Sequence, residues 1–159
     1  MDPADFRRWY EAVSDDLYRY IRRLADSVDE ADDLFQSTLA RYLGSGFDSN
    51  DPTECRRYLF RIATNLYRDR KRWTRRWSLG SLFERGSESP EEQYGERIDV
   101  RRALARLPPR SRALLWLAYA QGMEHKEIAE VLDVAPASVR VLLARARKKF
   151  LSYLEGGAK

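Results

Sequence analysis

The sequence predicts an all-α protein of two small helical domains joined by a flexible acidic linker. Apolar residues recur at steps of three and four through most segments, and none alternates with the period of two that a half-buried strand requires. Between residues 78 and 97 the pattern gives way to Gly80, Gly86, Ser87, Ser89, Pro90, Gly95 and several Glu, the composition of a linker. The domains are therefore expected at 1–77 and 98–155, with the linker at 78–97.

Each element has its own signal. Asp2 and Pro3 suit a helix start, and Phe6, Tyr10, Val13, Leu17, Ile21 and Leu24 form an apolar stripe as far as about Ala25. A second helix begins after Ser27 or Asp29, with Ala31, Leu34, Phe35, Thr38, Leu39 and Tyr42 inward. Its outward side is acidic (Asp29, Glu30, Asp32, Asp33, beside Gln36), and it stops at Gly44. Residues 44–52 are a loop by composition. The third helix is expected from Pro52 or Thr53 to about Trp77, with Tyr58, Leu59, Ile62, Ala63, Leu66, Tyr67 and Trp73 on its stripe. Helical pattern resumes at Ile98, breaks at Leu107-Pro108-Pro109, and continues to Gly122. From there Ile128, Ala129 and Leu132 mark a short helix. Asp133 tolerates a left-handed turn, and Pro136 opens a last helix with Val139, Leu142, Leu143, Ala146 and Phe150 inward. Two short helices around a turn, with a small residue where they cross and a basic second helix, read as a helix-turn-helix.

The net charge of +4 conceals segregation along the chain. Residues 26–54 hold eight acids against one Arg, and residues 56–76 hold nine bases against Asp69. Residues 77–99 hold six acids and two bases, and residues 100–155 hold eleven bases and five acids. Two basic blocks, each preceded by an acidic one, suggest two separate polyanion-binding surfaces. The first also interleaves bases with rings, as in Arg72-Trp73-Thr74-Arg75-Arg76-Trp77. Arginines neutralise phosphates and rings stack on unpaired bases, a combination that favours nucleic acid over an ordinary solvated face.

Other classes are poorly supported. Cys55 has no cysteine partner, and with His125 as its one companion it makes no metal site, so neither a metal nor a cofactor is expected. The sequence offers no phosphate loop and no Ser-His-Asp grouping, and Asp32 and Asp33 point about 100° apart on a helix. No catalytic residues are assigned and no enzyme is expected. No apolar run approaches the ~20 residues of a membrane span. The acidic N-terminus lacks an export signal, so a cytoplasmic location without membrane insertion is expected.

Placed in order, several of these residues form a pattern. Asp33-Leu34-Phe35-Gln36 is followed by Tyr58-Leu59-Phe60-Arg61-Ile62-Ala63-Thr64-Asn65-Leu66. Then come Leu107-Pro108-Pro109-Arg110, Glu127-Ile128-Ala129, Val139-Arg140 and Ala144-Arg145-Ala146-Arg147. From Leu17 to Phe150 the chain resembles the extracytoplasmic-function (group 4) sigma factors of bacterial RNA polymerase. The resemblance implies a sigma-2 and a sigma-4 domain, with core polymerase, promoter DNA and an anti-sigma factor as partners. It places core polymerase binding, on the clamp helices of the largest subunit, at Asp32, Asp33, Leu34 and Gln36, with the flap as a further contact. It places recognition and melting of the −10 element at Arg61, Asn65, Arg68, Asp69, Arg72 and Trp73, with Trp73 either a stacking wedge or a core residue. It places −35 recognition at Ser138, Arg140, Arg145 and Lys148.

The sequence departs from the family at Val141 and Leu142, where small or polar residues and Arg are usual. It also has Ala135 at a common Ser or Thr cap position and Asp133 at a frequent Gly. Two other classes remain on the residues alone: a stand-alone dimeric DNA-binding regulator, and an adaptor that holds only proteins. Size in solution and duplex binding without polymerase separate them.

Overall fold

The computed structural model describes residues 2–71 and 96–157, and every regular element among them is helical. In order these are α1 (Pro3–Leu24), α2 (Val28–Gly44), α3 (Pro52–Lys71), α4 (Glu96–Arg106), α5 (Pro109–Leu115), α6 (His125–Leu132) and α7 (Pro136–Gly157). A π-helical turn, Trp116–Ala120, continues α5.

The first three helices pack around one another. α1 buries Val13, Leu17, Tyr20, Ile21 and Leu24. Phe6 and Tyr10, expected on the same stripe, are not buried. That end of α1 reaches only the rim of α2, where Trp9 stacks on Tyr42 at 5.8 Å and Phe6 packs on Trp9 and Tyr10. Asp2 stands at the cap position without a side-chain bond. Ser27 does cap α2, accepting from the Glu30 N–H at 3.1 Å, and Glu30 reaches back to the Asp26 N–H at 2.8 Å. Such reciprocal bonds satisfy donors that a helix start leaves open. Deep in the bundle the hydroxyls of Tyr20 and Thr64 share a hydrogen bond of 2.7 Å, and Thr64 donates to the Phe60 carbonyl.

In the second half, Pro109 opens α5, and Gly122, at φ 63°, closes the π-helical turn. α6 buries Ile128, Ala129, Val131 and Leu132. It ends at Asp133, whose φ of 55° and ψ of 52° turn the chain left-handed, as the sequence suggested. α7 then returns across it with Val139, Leu143 and Ala146 buried. Ala129 is 3% exposed where these helices pack, and a larger side chain there would push them apart.

One arrangement was not expected from the sequence. The two helical groups share a continuous core: α3 packs against α6, and α1 packs against α5 and the turn that follows it. Arg57 of α3 pairs with Glu130 of α6 at 2.7 Å, and Arg56 bonds both Asp16 and Gln121.

Candidate nucleic-acid interface

The third helix turns a polar face outward because Leu59, Ile62, Ala63 and Tyr67 occupy the other side. Arg61, Asn65, Arg68 and Asp69 follow at helical spacing on this face, with Arg61 and Asp69 exposed and Asn65 and Arg68 half-buried. Arg72 and Trp73, expected to extend the face, lie outside the described residues, as do the other Trp and Arg of that run.

The basic block is used differently from what charge counting suggested. Arg70 pairs with Asp33 at 2.6 Å and donates to Ser37. Lys71 lies between Asp26 at 2.5 Å and Glu30 at 2.9 Å. Burial alone would lower the Lys71 pKa, but its hydrogen bonds to the two carboxylates outweigh that and hold it above the ordinary lysine value. Together with Arg56 and Arg57, these pairs commit four bases of the described part of the block to structural ties. Arg70 and Lys71 thus tie the end of α3 to acidic residues at and just before the start of α2.

The loop before α3 is internally bonded. Gly46 takes a φ of 71°, the Asp51 N–H donates to Ser49, and the Thr53 N–H donates to the Asp51 carboxylate. The Ser49 hydroxyl donates to Glu54, and the buried Cys55 thiol donates to the Ser49 carbonyl. Phe47, 37% exposed, stacks on Tyr58 at 4.3 Å, and Tyr42 packs against both. This presents a partly open aromatic surface beside the α3 face. Sequence reasoning passed over Phe47 because it stands alone among polar loop residues. Its one available signal was an aromatic ring with no helical periodicity to account for it.

On α2, Asp32, Asp33 and Gln36 are exposed. Asp32 accepts a bond of 2.6 Å from Tyr18, and that bond, with burial, raises the tyrosine pKa. Leu34 does not share this surface. It is 1% exposed and belongs to the core, because the turn of the helix takes it inward while its neighbours stay out.

In α7, Arg140, Arg145 and Lys148 are exposed and Ser138 is half-buried. The two departures at adjacent positions separate. Leu142 packs against the core, whereas Val141 is 49% exposed. Arg147 is engaged at the side of the helix, donating to the Tyr119 hydroxyl at 2.8 Å. The turn at Asp133 thus lets one helix face pack and the other stand free.

Among the described residues no cluster of His, Cys, Asp and Glu could hold a metal, and no helix is long and apolar enough to cross a membrane.

Comparison with known proteins gives two family matches: Sigma-70 region 2 over residues 9–77 and Sigma-70, region 4 over residues 97–150. The chain is 32% identical to the ECF RNA polymerase sigma factor SigE of Mycolicibacterium smegmatis, over 96% of this chain and 64% of that protein. It is 33% identical to the ECF RNA polymerase sigma factor EcfG of Rhodopseudomonas palustris, over 84% of this chain and 77% of that one. It is 26% identical to SigM of Bacillus subtilis, over 93% and 94% of the two chains. Its fold is similar to that of the sigma factor RpoE from Bartonella quintana, solved in complex with the anti-sigma factor NepR. That likeness has a TM-score of 0.77 at 24% identity and covers 95% of this chain and 97% of that one. The chain belongs to the extracytoplasmic-function sigma factors, promoter-recognition proteins that work with RNA polymerase.

Proposed function

We propose that the chain divides promoter recognition between its two helical groups, with residues 1–77 forming the sigma-2 domain and 98–155 the sigma-4 domain. The outward face of α3 (Arg61, Asn65, Arg68 and Asp69) engages the −10 element, and Arg72 and Trp73 are assigned to the same element from the sequence. There an unpaired base is held beside the Phe47–Tyr58 surface, favouring the open strand over the duplex. The free face of α7, with Ser138, Arg140, Arg145 and Lys148, enters the major groove of the −35 element. Asp32, Asp33 and Gln36 dock on the clamp helices of the largest polymerase subunit, and sigma-4 contacts the flap. Phosphate contacts supply register and few side chains supply sequence. An anti-sigma factor, the partner named for the Bartonella protein, is the regulator proposed here too, and the cytoplasm is the place of action.

The observation that carries this reading is the outward polar face of α3 standing beside a bonded loop with a partly exposed aromatic stack. Duplex binding alone would not call for the aromatic surface. The test begins with mapping transcription starts after overexpression, followed by run-off transcription with core polymerase on the mapped promoters. Shared −10 and −35 sequences and initiation dependent on both are expected. Initiation that ignores both elements would end the proposal.

A further inference from the structure

We infer that Val141 is a specificity residue that reads a thymine methyl in the −35 element. The inference rests on α7 being the −35 reader and names what that helix looks for. Val139, Leu143 and Ala146 are buried and fix the inward side of α7. At about 100° per residue, the direction opposite them passes through Val141. The exposed Arg145 lies about 40° to one side one turn later, and the exposed Arg140 about 100° to the other. Ala137 and Ala144, both exposed, are small neighbours on the same side, and the longer Arg145 and Lys148 that share this face follow one and two turns later.

The first turns of a recognition helix are the part that reaches base edges. Here the centre of that part has no hydrogen-bonding side chain. An isopropyl group cannot read the donors and acceptors of guanine, cytosine or adenine. The one major-groove feature it matches is the C5 methyl of thymine. Contact removes both apolar surfaces from water, which favours thymine over any base that leaves the valine facing a polar edge. Ser138, half-buried, and Arg140, well round the helix, leave Val141 as the central contact.

The experiment uses holoenzyme and promoter fragments from mapped start sites. Each thymine of the −35 element, on either strand, is replaced singly by deoxyuridine, which removes only the methyl. Open-complex formation is measured for wild type, Val141→Ala and Val141→Thr, the last retaining one methyl. One deoxyuridine position should cost the wild type roughly two- to fourfold. Val141→Ala should lose a similar factor on thymine and be indifferent at that position alone, while Val141→Thr should retain part of the preference. If scrambling the −35 element weakens the wild type but no deoxyuridine does, the methyl contact is overturned while the −35 reading stands. An undiminished thymine preference in Val141→Ala assigns the methyl to another residue and overturns the inference. Wild-type indifference to scrambling removes the −35 reading itself.

Discussion

Within α2, positions 32 to 36 divide between two tasks. Asp32, Asp33 and Gln36 are exposed, while Leu34 is fully enclosed with Leu17, Leu59 and Ala63 in the same core. Leu34→Ala should therefore cost ~2–5 kcal/mol of stability, read from urea unfolding, because it leaves a cavity. Asp33→Ala and Gln36→Ala should leave unfolding nearly unchanged and weaken capture of core polymerase in a pull-down. The Asp33–Arg70 pair is more than half exposed on the aspartate side and accounts for less than ~1 kcal/mol. A stable Asp33→Ala variant that still captures core polymerase at wild-type level would remove Asp33 from the docking surface. Helical periodicity had already put Leu34 inward, whereas the family resemblance assigned it a contact by its place in a motif. The structure follows the periodicity in placing Leu34 inside, because helical spacing reports burial directly. The Tyr20–Thr64 pair was invisible in the sequence for the opposite reason: each partner satisfies the other across 44 positions, and neither has a local signal.

Among the elements, the helix-turn-helix was the most legible, because its constraints are local. A left-handed residue at Asp133, a proline at Pro136 and a small residue at Ala129 each act within a few positions. The start of α7 is its weak point. The Ser138 N–H bonds only to the Ala135 carbonyl, at 2.9 Å, and Ala135 has no side-chain oxygen to accept it. Ala135→Ser should supply that acceptor and raise stability by ~1 kcal/mol, seen as a higher urea midpoint with an unchanged slope. No gain would mean that the carbonyl bond already suffices. Less of α3 was legible. Its outward face followed from spacing, but the fate of its charges did not, since Arg70 and Lys71 find their partners on other helices.

For the whole molecule, the contact between α3 and α6 sets a geometric problem. The −10 and −35 elements are separated by about 25 base pairs, or ~85 Å along B-form DNA. A chain of this size folded around one core has a radius of gyration of about 15 Å. If α3 and α7 read the two elements as proposed, α3 packed on α6 cannot span that distance, and the contact is expected to open when both engage. The interface is suited to opening. Arg112 is 4% exposed beside Tyr67, and two of its nitrogens have no hydrogen-bond partner. Burial pushes its pKa down, the sign of a charge held where it is poorly solvated. Arg112→Met should therefore stabilise the free chain by ~1–4 kcal/mol against urea, since replacing a poorly compensated buried charge with an apolar side chain removes its desolvation cost. The decisive variant carries Arg57→Cys and Glu130→Cys in a Cys55→Ser background, joined by a short bismaleimide. The exposed carboxylates of α2 do not take part in the contact, so the cross-linked protein should still capture core polymerase. It should fail in run-off transcription from promoters that require both elements, and the same protein without cross-linker should initiate. Full initiation by the cross-linked form would mean that this contact persists on the promoter and that the distance is bridged in another way.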